Sequence, residues 1–223
     1  VLRRNGSRYV VDGQQRCAAY RECGMAMPAI VYDLSQHDLV TEKTLWLILN
    51  THIAVGPQWK IHGAPNASAA MIRELAKPGS PYEGCINLGF GRGRRYDASV
   101  LLAGMLSAMI GTGQSGPVST ALARADFALR QPQGAERATA FFNLVPVCYP
   151  AGQRLRQLHS VALGIVAHER WNQAGRCYHP RASITRRLSR MNWYELVPEP
   201  SFKFLPTVTA AIRRRWPEGE KSS

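Results

Sequence analysis

The stretch Val10-Val11-Asp12-Gly13-Gln14-Gln15-Arg16, running on into Cys17-Ala18-Ala19-Tyr20-Arg21-Glu22-Cys23-Gly24, most restricts how this chain folds. It reads as a strand that ends in a tight polar turn and opens directly into a helix. Helix formers from Gly13 to Glu22 stop at Gly24, which suits the left-handed residue that closes a helix. Upstream, Asn5-Gly6 lies between the extended runs Val1–Arg4 and Ser7–Val11. That pattern predicts a hairpin, because both turn positions need positive φ. Met27 to Asp33 reads as a second, buried strand. Hairpin, turn, helix and strand make a small α/β unit whose turn sits at a strand end, a common place for a ligand crevice.

The chemistry of the turn follows from its position. The first N–H groups of a helix have no intrahelical partner and carry partial positive charge, so they attract phosphate. Arg16 adds a planar cation suited to phosphate oxygens. Gly13, Gln14, Gln15 and Arg16 are therefore the candidate phosphate cradle. Asp12 is well explained as a helix N-cap.

The same residues resemble the central motif of the ParB/sulfiredoxin-like superfamily. That motif is a hydrophobic strand, then (D)G-x-x-R, an Ala-rich helix, a Gly, and a strand ending in D-L-S, here Asp33-Leu34-Ser35. The Asp-Gly-Gln-Gln-Arg spelling is similar to the DGQHR-type branch and to related prokaryotic defence and phage proteins. The resemblance covers about residues 1–50. It implies a turn that binds CTP or ATP with Mg²⁺, or that carries hydrolytic or kinase chemistry, with Gly13 to Arg16 at phosphate. Were the chain an enzyme of the DGQHR type, Asp12 would be the catalytic group, as metal ligand or base. Gln14 and Gln15 replace the sulfiredoxin cysteine, which argues against sulfinic-acid repair. They also replace the Glu-Arg of ParB, so CTP specificity does not carry over. The family has upstream strands that close the nucleotide pocket, and this unit is expected to be N-terminally incomplete. A helix ending in Ile/Leu-Asn-Thr follows the motif in related proteins. Leu47-Ile48-Leu49-Asn50-Thr51 resembles it, which would set Asn50 to orient a phosphate or a metal-bound water; a helix C-cap is the other reading.

Composition points to a polyanionic partner. The chain has 28 Lys+Arg against 15 Asp+Glu in 223 residues, a formal net charge of +13. Such an excess favours nucleic acid through counterion release. No stretch reaches the roughly 18 apolar residues that span a bilayer. The five cysteines show no C-x-x-C spacing, so reduced thiols are expected. His168, Cys177 and His179 are too loosely spaced to indicate zinc.

Beyond residue 35 the pattern turns helical. Helices are expected over Leu39–Asn50, from an Asn66 cap to Lys77, and over about 97–112, 117–130, 134–147, 153–174, 182–191 and 203–215. Asp97 is the expected N-cap of an all-apolar helix. Between Pro78 and Tyr96 a long loop carries Gly89-Phe90-Gly91-Arg92-Gly93-Arg94-Arg95. Arg92, Arg94 and Arg95 read as a phosphate-backbone grip, with Phe90 stacking on a base. Arg186, Arg187 and Arg190, on a short helix after the turn at Gly175, read as a basic recognition surface and possible second half of a helix-turn-helix.

The expected architecture is α+β: a ParB-like α/β unit over 1–55, then a mainly helical region over 56–223 that contacts DNA. The expected function is nucleotide and DNA binding in a prokaryotic, plasmid or phage system. A DGQHR-type nuclease, NTPase or kinase on the same fold, and a non-catalytic interaction module, are the alternatives. The implied partners are DNA and a nucleotide, with no membrane contact; the expected location is cytoplasmic, and a homodimer is compatible with this reading. Replacing Arg16 by Ala is expected to abolish nucleotide binding in calorimetry without lowering the unfolding midpoint. Unchanged affinity would remove the cradle.

Overall fold

A computed structural model describes residues 10, 14–27, 29–34, 45, 56–89, 94–113, 116–150, 152–196 and 201–219. They fall in two compact units: residues 1–56 with 63–65, and residues 57–62 with 66–223.

In the first unit, helix α1 spans Gln14–Glu22. Gly24 takes the left-handed conformation at φ 66° and ends it, as its position in the sequence predicts. The stretch 29–34 corrects the expectation of a buried strand: Ile30 and Val31 are exposed, and only Asp33 makes a bridge. An apolar run becomes a core strand only when neighbours pair with it and cover it, and no ladder among the described residues does so. The proposed hairpin and most of the 39–50 helix lie outside the described residues; Leu45 is helical and buried.

The second unit is mostly helical. It contains α2 (Pro57–Gly63), α3 (Ala67–Leu75), the strands β1 (Ile86–Asn87) and β2 (Tyr96–Asp97), and then α4 (Ala98–Ile110), α5 (Val118–Leu129) and α6 (Gly134–Cys148). After these come α7 (Gln157–Ala174), α8 (Ala182–Ser189), a 3₁₀ turn at Phe202–Phe204 and α9 (Leu205–Arg215). Helix α2 was not legible in the sequence; Pro57, favourable at the first helical position, is its local signal.

Helix α4 is apolar all round and forms the centre, with Val100 to Met109 all buried. Its most extensive contact is with α7, and α5 and α6 also pack on it. The crossing with α7 is set by two glycines. A Cβ on Gly164 would press on the Gly104 carbonyl oxygen and lie 2.9 Å from the Ala108 nitrogen. A Cβ on Gly104 would lie 2.9 Å from the Ser160 carbonyl oxygen and collide with Phe141. The two backbones thus touch where any side chain would hold them apart.

Several polar contacts lock the helices in place. Pro146 lies inside α6 and has no N–H to give to the Phe142 carbonyl one turn back. The buried Tyr82 hydroxyl donates to that carbonyl instead, at 2.6 Å. Asn66, expected to cap α3, makes no side-chain cap. Asp126 of α5 serves that helix start, accepting from the Ser68 N–H at 2.9 Å, the Ser68 hydroxyl at 2.7 Å and the Asn66 amide at 2.8 Å. Burial acts to raise the Asp126 pKa, but these hydrogen bonds outweigh it and hold the carboxyl below its ordinary range.

The strands pair in parallel, Ile86 with Tyr96 and Asn87 with Asp97. Asp97 sits at the N-cap of α4 but its side chain does not cap. It accepts from Asn87 at 3.0 Å and from Arg154 at 2.6 Å. The Leu155 N–H donates to the Arg95 carbonyl, so residues 154–156 run extended and α7 starts at Gln157 rather than near 153.

Gly164→Ala is expected to lower stability by about 2–3 kcal/mol, because overpacking at the crossing outweighs alanine's better helix propensity. Urea denaturation checks this, and a variant as stable as the parent would mean that α4 and α7 do not meet here.

Candidate functional site

The phosphate cradle is described only in part. Asp12 and Gly13 lie outside the described residues, as does Asn50. Gln14 and Gln15 are the first residues of α1. Arg16 follows in the first turn and is exposed.

The arginines expected on the Gly-Arg loop have structural work. Arg92 and Phe90 lie outside the described residues. Arg94 donates to the Gly84 and Ile86 carbonyls at 3.2 and 3.3 Å. Arg95 donates to the Tyr149 and Pro150 carbonyls at 2.9 and 3.0 Å, and its guanidinium lies 4.8 Å from the Tyr96 ring centre. Both guanidiniums tie chain segments together.

Helix α8 has the opposite character. Ile184 and Leu188 are fully buried, while Arg186, Arg187 and Arg190 are exposed, together with Arg181 at its N-cap. The apolar pair spaced four residues apart anchors one face, and the arginines cover the other. This helix packs against α6 and α9 rather than chiefly against α7, the helix that precedes it. The helix-turn-helix reading is therefore corrected: seven residues, 175–181, separate α7 from α8, and the pairing of consecutive helices that defines the motif is replaced by packing on α6.

Two polar clusters lie inside the helical unit. His159 is fully buried among Tyr149, Trp193 and Tyr194, with ring centres 5.7, 5.4 and 5.8 Å away. Its Nδ1 meets the Tyr149 hydroxyl at 2.9 Å. Burial, reinforced by the nearby Arg156 guanidinium and only partly offset by the Trp193 backbone, pulls its pKa down to about 4. His159 is therefore neutral at pH 7. In the second cluster, Arg137 reaches the His168 ring at 2.9 Å, Gln133 Oε1 at 3.1 Å and Asn172 Oδ1 at 2.6 Å. His168 Nδ1 also lies 3.0 Å from the Ala108 carbonyl oxygen, so this nitrogen accepts from Arg137 when unprotonated or donates to Ala108 when protonated, and it does not do both at once.

Sequence reasoning missed a cavity of about 580 Å³ between the end of α4, α5 and the start of α6. Met109 and Ile110 line it, with Arg124, Phe127, Gln131 and Arg137. The signal available in the sequence was Arg124 and Phe127 three residues apart, which puts them on one helix face.

No group of three His, Cys, Asp or Glu side chains suited to a metal occurs among the described residues. The five cysteines are free thiols. Cys177 hydrogen-bonds Glu136, and burial together with that carboxylate pushes its thiol up to about 11, which makes it a poor nucleophile. Among the described residues no helix is long and apolar enough to cross a membrane. The chain matches no protein-family model, no curated protein and no solved structure.

The pH dependence of stability follows from His159. Its folded pKa lies below the unfolded value of 6.5, so the unfolded state binds the proton first. The contribution is complete above about pH 6.5 and is lost as pH falls toward 4, with a slope of up to roughly 1.4 kcal/mol per pH unit. His168, also held down chiefly by burial, adds to the same limb. Urea midpoints at descending pH are expected to show this loss, and His159→Gln is expected to flatten it. An equally steep limb in the variant would place the acid sensitivity elsewhere.

Proposed function

We propose that this chain is a ParB-like nucleotide- and nucleic-acid-binding protein, in which a phosphate cradle at the start of α1 accompanies a DNA contact through α8. The observation that carries the DNA contact is the outward set Arg181, Arg186, Arg187 and Arg190, mounted on a helix anchored by Ile184 and Leu188. No Asp or Glu occurs between Glu169 and Glu195, so this segment brings no acidic residue of its own to offset the arginines. α9, which packs on α8, ends in Arg213-Arg214-Arg215, of which Arg213 is paired with Glu169. The net charge of +13 supports a polyanionic partner. The nucleotide half of the reading is supported by the Asp12 to Arg16 motif and by a helix that begins at Gln14.

Fixed arginines at this spacing bind phosphate oxygens without reading sequence, so affinity should be strongly salt-dependent. The Arg186→Gln, Arg187→Gln, Arg190→Gln triple variant is expected to bind duplex DNA at least about tenfold more weakly. It should also lower the slope of log affinity against log salt by about 3, close to one per lost contact. Fluorescence anisotropy across a salt series, with and without CTP or ATP and Mg²⁺, measures both. An unchanged slope would remove α8 from the interface.

A further inference from the structure

The cavity between α4, α5 and α6 has features that its role in packing does not require. Phe127 is 68 % exposed at its edge, on a helix whose buried face is Leu122, Ala125 and Ala128. Arg124 precedes it by three residues, is exposed and makes no ion pair among the described residues. At the α6 side, Gln133 and Asn172 hold the Arg137 guanidinium by hydrogen bonds, without a carboxylate to cancel its charge. No acidic side chain lines the cavity, whose floor is the apolar pair Met109 and Ile110. The side-chain amide of Gln131 lies at the rim, where its one hydrogen bond among the described residues is at 3.5 Å to the Phe127 carbonyl, the weak limit for such a bond. It thus offers both a donor and an acceptor.

These parts match one chemistry: a flat aromatic body with polar edges, attached to negative charge. From them we propose that the cavity receives an unpaired nucleobase of a bound single strand. Phe127 stacks on the base, Gln131 meets its edge, and Arg124 takes an adjoining phosphate. A volume of about 580 Å³ accommodates one base with its sugar. A paired base is enclosed in its own stack and cannot enter without being turned out, so the site favours single strands over duplex. Phosphate contact through α8 alone would give no such preference. The inference rests on the nucleic-acid reading above and adds to it a second contact with a different specificity.

The test compares a short oligothymidylate with the same backbone carrying abasic spacers, by fluorescence anisotropy on the full chain. The parent is expected to prefer the base-bearing strand by roughly 5- to 150-fold, the range that one base–aromatic stack spans. Phe127→Ala should erase that preference, Phe127→Trp should keep it, and Arg124→Gln should weaken the base-bearing strand more than the abasic one. Since Phe127 is largely exposed, the Ala variant is expected to fold, and its urea midpoint verifies this. The triple α8 variant should weaken both strands together and preserve their ratio. Salt-dependent binding with no base preference in the parent, or a preference that survives Phe127→Ala, would overturn the cavity assignment while leaving α8 as a DNA contact. Absence of binding to any strand or duplex would overturn both.

Discussion

The direct approach of α4 to α7 is the constraint on which the helical unit depends. With glycine at 104 and 164, the two backbones meet without intervening side chains. That closeness buries α4 from Val100 to Met109, and α5 and α6 pack on its other sides. It also carries Ser160 and His159 of α7 into the interior, where His159 is held neutral among aromatic rings. A packing choice at two residues without side chains thus helps place a histidine in the interior, where burial lowers its pKa.

Around this crossing, charge and polarity are used in two different ways. One set of arginines completes the hydrogen bonding of the backbone. Arg73 serves Ile61 and His62, Arg94 serves Gly84 and Ile86, Arg95 serves Tyr149 and Pro150, and the buried Arg170 serves Trp216. Carbonyls at loops and helix ends lack regular partners, and a guanidinium with five donors can satisfy two at once. The other set, on α8, is held outward by a buried apolar stripe. Net charge counts both sets alike, although the first is drawn into hydrogen bonds with backbone carbonyls and the second lies on an exposed helix face.

That division also separates two kinds of recognition within the proposed function. Arginines on a helix surface respond to the phosphate backbone, a field common to all nucleic acids. The cavity beside Phe127 combines an aromatic face, an amide and fixed cations, which respond to a particular chemical group. The first kind gives affinity that salt removes; the second gives discrimination that salt touches far less.

Much of the helical region was legible in the sequence, since apolar spacing and glycine stops are local properties. The runs expected at 134–147 and 203–215 appear as Gly134–Cys148 and Leu205–Arg215, and Gly111 and Gly175 close α4 and α7 in the left-handed conformation. The outward arginines of α8 were legible for the same reason. Partners far apart in the chain were not. Asn66 looked like a cap, but Asp126 arrives from α5 to do that work. Arg94 and Arg95 read as a phosphate grip in the sequence, which gave no sign of the carbonyls that the packed segments bring to them. Ile30 and Val31 have the composition of a core strand, yet they are exposed, because burial is conferred by neighbours. The sequence by itself determined where helices start and stop and how charged the chain is. Only the tertiary structure decided which arginines are drawn into backbone hydrogen bonds and where a cavity opens, because those depend on distant segments meeting at one place.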